Sequence, residues 1–282
     1  MANKLPMDQI RGVVNMGREA EESMGEGIHL SVLVDPTCPR WLAVAIRDVL
    51  VPERDARVEV SPVVPHPKTL GVDVGIIIAG RSESEVRSAI RTFAGARQHV
   101  VVVAESSLDI PETHMPAKLG QFVSDVVASE HGPLLERFAV ALLDATDKDV
   151  SCAANFSFCR TAATAHLVSR CAAHNALMGI ADFIPGAGMP LMTMNQINLG
   201  FDIAATYGKG LSLGRIPEVA VIIAAGLVYR GAARVLLRAV PALGIVIRAG
   251  LAYGGTLITG RMLSTHFMEG LPPADEIADA EA

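Results

Sequence analysis

Cys152, Cys159 and His166 follow one another at intervals of seven residues, with Cys171 and His174 just beyond. Thiols and imidazoles are the donors of a structural zinc site, which holds four ligands within about 2.0–2.3 Å of the metal. On one continuous helix a seven-residue step is about 10 Å of rise, so the first three share a face but not an ion. Cys171 and His174, three apart, are within reach of one metal, yet two ligands do not close a site. The expectation is no metal, with the cysteines packed as small apolar residues in an alanine-rich helix. A search for catalytic groupings is equally thin: there is no His-Glu-x-x-His and no Cys-x-x-Cys pair. His66 and His114 lie in proline-containing loops, without a partner that sequence can place. No catalytic residue is predicted.

The elements that would position a site follow from hydrophobic period. From Leu5 to Met24, residues Ile10, Val13, Val14, Gly17, Ala20 and Met24 line one helical face, and Gly25 and Gly27 end the helix. Apolar, β-branched runs follow at His29–Val34, Arg57–Val64, Val72–Ala79, His99–Ala104 and Gln121–Ala128. Runs too apolar to alternate mark parallel strands covered on both faces. Between and after them, Trp41–Val51, Glu83–Phe93 and Pro133–Leu143 carry a helical period. This alternation predicts an α/β, doubly wound, mostly parallel sheet in the N-terminal domain.

Ligands of such sheets bind at the carboxyl ends of the strands, so the loops there carry the chemistry. After the first strand the chain reads Asp35-Pro36-Thr37-Cys38-Pro39-Arg40, after the second Val64-Pro65-His66-Pro67, and after the fourth Ala104-Glu105-Ser106-Ser107. The order and spacing of the elements resembles the core of a Ras-like or Era-like GTPase. That resemblance implies a glycine-rich loop with Lys and Ser/Thr after the first strand, a metal-side Asp with its Gly, and a guanine-reading Asn-Lys-x-Asp. None of the three is present. Asp35 stands where the first glycine falls, its carboxylate would repel a triphosphate, and two prolines remove N–H donors. The domain is therefore expected to be a degenerate GTPase-like domain without cofactor. Asp35, Thr37, Cys38, Arg40, Glu105 and Ser106 mark the vacated loop positions. A doubly wound domain unrelated to GTPases would lack the same motifs and stays open.

A second set of signals begins at Asn175. The turn Ile184-Pro185-Gly186-Ala187-Gly188-Met189-Pro190 is followed by Pro241-Ala242-Leu243-Gly244 and by Ala252-Tyr253-Gly254-Gly255. This order resembles the YcjF-like family, a helical domain of unknown function found in bacterial membrane-associated proteins and often fused C-terminal to Era-like GTPases. The resemblance covers about a third of the chain, from Asn175 to Gly270. It implies a GTPase-like domain in front, where a degenerate one is expected, and supplies no reaction.

Pro185, Gly186, Gly188 and Pro190 interrupt an apolar stretch. They make either a tight turn between packed core helices or a re-entrant element dipping into a bilayer. Long helices are expected over 217–239 and 241–267, but Arg230, Arg248 and Arg261 stop their apolar runs, and 183–201, though free of charge, contains Pro185, Pro190, Asn195, Gln196 and Asn198, so no clean membrane span is expected. Arg230, Arg234 and Arg238 recur every four residues and stand on one side of a helix. They complement the dipole at its C-terminal end or, with Arg248, meet anionic lipid at about 1 kcal/mol per residue.

Charge divides the chain. Residues 1–150 hold 15 basic and 22 acidic side chains, residues 151–268 hold 9 and 3, and the last fourteen hold five acids with Pro272 and Pro273. The expected organisation is an amphipathic helix over 1–26, the α/β domain over 27–150, an all-α apolar helical domain over 151–268 and an acidic disordered tail over 269–282. A net charge of -6 with 4% aromatic residues argues against nucleic acid as a partner. Four cysteines and the acids within residues 1–25 argue for a reducing compartment and against a secretory leader. The expected function is a non-enzymatic adaptor or regulator at the cytoplasmic face of the inner membrane. Its expected partners are an anionic membrane surface, a second copy of itself and an active GTPase. The alternatives are a divergent GTP-binding enzyme with non-standard loops and a soluble oligomeric scaffold in the cytoplasm.

Overall fold

The computed structural model describes residues 7–181, 188–210 and 244–269. They divide into two compact units, Gly25–Ala163 and a second built from Met1–Met24 with Thr164–Ala282.

The first unit contains a five-stranded sheet of order β2-β1-β3-β4-β5, formed by β1 (His29–Val34), β2 (Arg57–Pro62), β3 (Val74–Ile78), β4 (His99–Ala104) and β5 (Val123–Val127). Every pairing is parallel. The expected α/β fold of this region is observed, with β1 and β4 bounded as the sequence indicates. The chain leaves β1 for one neighbour, β2, and later returns to the other side of β1 as β3, so the order of winding reverses between β1 and β3. That reversal is the topological switch point of a doubly wound sheet.

Two cores cover the two faces because successive side chains of a strand point to opposite sides. Val32, Ile76, Ile78, Val101 and Val103 pack on one face with Leu42 and Ile46 of α2 (Arg40–Val49) and Leu134, Phe138 and Leu142 of α5 (His131–Asp144). Leu33, Ile77, Val100 and Val102 meet Val86, Ala89, Ile90 and Phe93 of α3 (Glu83–Gly95) on the other. A short α4 (Ala117–Gly120) precedes β5. β2 departs from the expectation of a strand covered on both faces: it is an edge strand whose Val60 is 65% exposed. Arg57, Glu59 and Ser61 alternate with its two valines, and among the described residues only β1 pairs with it.

This unit runs past the boundary expected at residue 150. α6 (Asp149–Asn155) and the 3-10 turn Ser157–Cys159 put Cys152, Ala153, Phe156, Cys159 and Ala163 into the core beneath α5. Phe158 stacks on Phe138 with ring centroids 5.4 Å apart.

In the second unit the described residues form α1 (Met7–Gly25), α7 (Arg160–Ala181, whose first turn belongs to the first unit), α8 (Gly188–Thr206) and α9 (Gly244–Glu269). α1 groups with these helices instead of standing apart as a separate 1–26 segment: Ala20 and Met24 are buried, and the Met194 methyl lies 3.0 Å from where a Cβ of Gly12 would be. α7 and α9 approach so closely that a Cβ on Gly260 would sit 2.3 Å from a Val168 methyl. Among the described residues no helix is long and apolar enough to cross a membrane.

The sheet has a corresponding point of closest packing at Gly75 of β3, where an added Cβ would lie 2.8 Å from the Phe93 ring. Gly75→Val is expected to lower stability by about 1–3 kcal/mol through overpacking. Urea unfolding followed by the single Trp41 measures it.

Candidate functional site

Asp35 follows β1 at the switch point, and its side chain is fully buried. Its N–H donates to the Ile78 carbonyl at 3.0 Å, extending the β1–β3 ladder by one residue. One carboxylate oxygen, Oδ1, accepts from the Thr37 N–H at 2.9 Å, the Thr37 hydroxyl at 2.8 Å and the Ser82 hydroxyl at 2.8 Å. The other, Oδ2, accepts from the Gly80 N–H at 3.1 Å and the Ser82 N–H at 2.9 Å. The Thr37 oxygen in turn accepts from the Arg81 N–H at 2.6 Å. Three of these donors lie in the loop after β3 and at the start of α3, where the helix dipole favours an anion.

These are the donors that a phosphate-binding sheet turns toward its ligand, backbone N–H groups and hydroxyls at a strand end and a helix start. Here they converge on the chain's own carboxylate. Burial pushes the Asp35 pKa up, but the bonds from the Thr37 and Ser82 backbone and hydroxyls outweigh it, so the carboxyl titrates below the ordinary aspartate value. The two loops also touch: a Cβ on Gly80 would be 2.5 Å from the Cys38 nitrogen and 2.7 Å from the Thr37 carbonyl carbon. Burial and the neighbouring Asp35 charge raise the Cys38 thiol above its usual value, which leaves it a poor nucleophile.

The other loop positions have structural occupations. The Trp41 indole N–H donates to Glu105 at 2.8 Å. Ser106 caps the 3-10 turn Ser107–Asp109, accepting from the Leu108 N–H at 3.2 Å, while Asp109 reaches back to the Ser106 N–H. Arg40 is exposed at the start of α2. The structure therefore brings Asp35 and Thr37 together with Gly80, Arg81 and Ser82, which sequence reasoning missed. The available signal is the small, polar Gly80-Arg81-Ser82 turn at the end of an apolar strand.

Pro185, Gly186, Arg230, Arg234, Arg238 and Pro241 lie outside the described residues, as does the stretch 270–282. Gly188 and Pro190 fall in the first turn of α8, where proline is tolerated, Gly244 opens α9, and Arg248 lies on α9. The string Gly210-Leu211-Ser212-Leu213-Gly214 has the spacing of a nucleophile elbow. An elbow joins a strand to a helix, whereas this string follows helix α8, and residues 211–214 are not among those described. Among the described residues no group of three His, Cys, Asp or Glu side chains could hold a metal.

In the second unit a polar cluster links three helices. The Asn175 amide donates to the Thr256 hydroxyl at 3.0 Å, and the Asn195 amide donates to the Asn175 carbonyl oxygen at 3.1 Å. About two turns further along α8, Asp202 accepts from the Asn198 amide at 3.2 Å. Burial lifts its pKa to about 6, opposed by the Arg170 charge and assisted by that of Glu19.

The chain matches no family model, no curated protein and no solved structure at a significant level. What is shown is the class of fold, an all-parallel α/β sheet with flanking helices and an internal anion at its switch point.

Two predictions follow from these carboxylates. Asp35→Ala strands buried donors and is expected to cost on the order of 3 kcal/mol, with Asp35→Asn costing less. Because the folded pKa of Asp35 is depressed, its contribution is present above about pH 4 and is lost as pH falls through the folded value. Acid unfolding followed by circular dichroism should therefore show a shallower acid limb in Asp35→Asn. Asp202 has the opposite sign: its folded pKa is raised, so its contribution is full below about pH 4 and is lost as pH rises through 6. Asp202→Asn should raise stability at pH 7.5 by on the order of 1–2 kcal/mol and flatten the melting temperature between about pH 4 and 6, as calorimetry would register.

Proposed function

We propose that this chain is a non-catalytic, membrane-associated adaptor or regulator. Its α/β unit keeps a GTPase-like frame without nucleotide chemistry, and its second unit is a YcjF-like helical domain working at the cytoplasmic face of the membrane. The observation that carries the proposal is the Asp35 carboxylate, which takes up the donors a nucleotide phosphate would need and ties the β1 and β3 loops together. A bound phosphate would have to displace a buried anion and reopen a backbone contact at Gly80. Glu105 and Ser106, at the guanine-reading position, are engaged with Trp41 and with their own turn. The strand order 2-1-3-4-5 is shared with flavodoxin and CheY, so GTPase descent rests on the loop spacing and on the YcjF-like resemblance, not on topology. Membrane association rests on that resemblance and on the four-residue spacing of Arg230, Arg234 and Arg238.

Titration calorimetry with GTP and GDP in the presence of magnesium tests the first half. No binding up to millimolar nucleotide is expected, and micromolar binding would overturn the reading in favour of a divergent GTP-binding enzyme. Flotation with phosphatidylglycerol vesicles tests the second half. Binding that weakens with salt is expected, and absence of the chain from the floated fraction at low salt would leave a scaffold that does not engage lipid.

A further inference from the structure

Cys152 and Cys159 have their sulfurs 3.7 Å apart, although their seven-residue spacing on a continuous helix would separate them by about 10 Å. The helix is not continuous. α6 stops at Asn155, Phe156 turns extended (φ −125°, ψ 102°), and the 3-10 turn Ser157–Cys159 folds the second thiol back onto the first. This corrects the expectation that the two cysteines only share a helix face.

The corner is held in that shape from both sides. Asn155 Oδ1 accepts from the Arg54 and Ala56 N–H groups, each at 3.1 Å, and the Asn155 carbonyl accepts from the Glu53 N–H at 3.0 Å. Inside the corner the Phe156 N–H donates to the Cys152 carbonyl at 2.8 Å, and the Cys159 N–H donates to the Phe156 carbonyl at 3.0 Å. Both thiols are buried, and both are reduced. Arg160, the first residue after the corner, pairs with Glu53.

We propose that Cys152 and Cys159 are an oxidisable dithiol, a modification site that a peroxide closes to an intramolecular disulfide. The thiolate of one cysteine attacks a peroxide oxygen, the O–O bond breaks, and hydroxide leaves to become water, giving a sulfenic acid. The other thiol attacks that sulfur, the S–O bond breaks, and a second water leaves. Two thiols thus lose two electrons and two protons, and one hydrogen peroxide becomes two waters. The sulfurs must approach by about 1.7 Å to reach a disulfide bond length, a movement within the range of side-chain rotation at a preformed corner. Burial raises the Cys159 thiol well above its ordinary value, so the thiolate is scarce and closure is slower than for an exposed cysteine. The bond would pin α6 to the start of α7, in the last turns before the first unit ends at Ala163. The oxidation state of the pair thereby sets the stiffness of the segment through which the chain leaves the sheet unit.

The full chain is treated with excess hydrogen peroxide for many times the period in which a separate glutathione sample is fully converted, then denatured in urea containing iodoacetamide and weighed. A Cys38→Ser/Cys171→Ser background removes the other two thiols, and peptide mapping of the unaltered chain gives the same answer should that background fail to fold. The expected result is a loss of about 2 Da, no alkylation at Cys152 or Cys159, a peptide joining them, and reversal by dithiothreitol. Cys152→Ala should abolish the joined peptide. Alkylation of both cysteines after the treatment, a gain of oxygen on either without a cross-link, or a disulfide between two chains would each overturn the proposal.

Discussion

A carboxylate taken out of water stays ionised only if the protein replaces the hydrogen bonds that water had made. Asp35 has five donors to do this, and they come from two loops that are distant in sequence and adjacent in the sheet. Much of the sheet unit's geometry depends on that convergence. The bonds fix the exit of β1 against the exit of β3, orient the loop leading to α2, and supply an anion to the start of α3, whose N-cap residue Ser82 spends its hydroxyl on Asp35 and makes no cap bond of its own. Gly80 is required for the same reason, since the backbone of one loop passes where its Cβ would be. A doubly wound sheet splays its loops at the switch point and leaves a crevice. Here the Asp35 carboxylate bonds both loops and holds them together at that point.

Parts of this arrangement were legible in the sequence, and the limits of legibility are physical. β1 and β4 were readable to the residue because central parallel strands are buried on both faces and write an unbroken apolar run. Val58, Val60, Val63 and Val64 suggest a covered strand at β2, but Arg57, Glu59 and Ser61 alternate with them and Pro62 ends the strand, which is how an edge strand reads. Asp35 stands out in the sequence as a lone charge directly after an apolar strand, which is where the structure places it. Its partners did not stand out, because the link to Gly80 and Ser82 spans 45 and 47 residues and obeys no helical or strand period. The cysteine geometry failed for another reason. Period arguments assume that a helix continues, and the chain breaks at Phe156, whose buried ring holds the turn in place without glycine or proline to announce it. The same turn carries the compact unit past the polar run at Asp144–Asp149 that had suggested its end.

The second unit faces a different problem, and the buried polar residues there show how it is met. Its described helices mix large apolar side chains with alanine, glycine and short polar ones, and non-directional apolar contacts by themselves fix a register weakly. Close approach becomes possible, as at Gly260 against Val168, but small residues repeat and would tolerate slippage by a turn. Asn175 removes that freedom. Its amide reaches α9 through Thr256 and its carbonyl oxygen receives α8 through Asn195, so sliding any of the three helices by one turn breaks a buried hydrogen bond. A hydrogen-bonded amide in an apolar setting thus contributes little net stability but penalises each wrong register heavily. The register of the three described helices is therefore set at a polar cluster, where a one-turn slip costs a hydrogen bond, while the apolar contacts around it supply the attraction that brings the helices together.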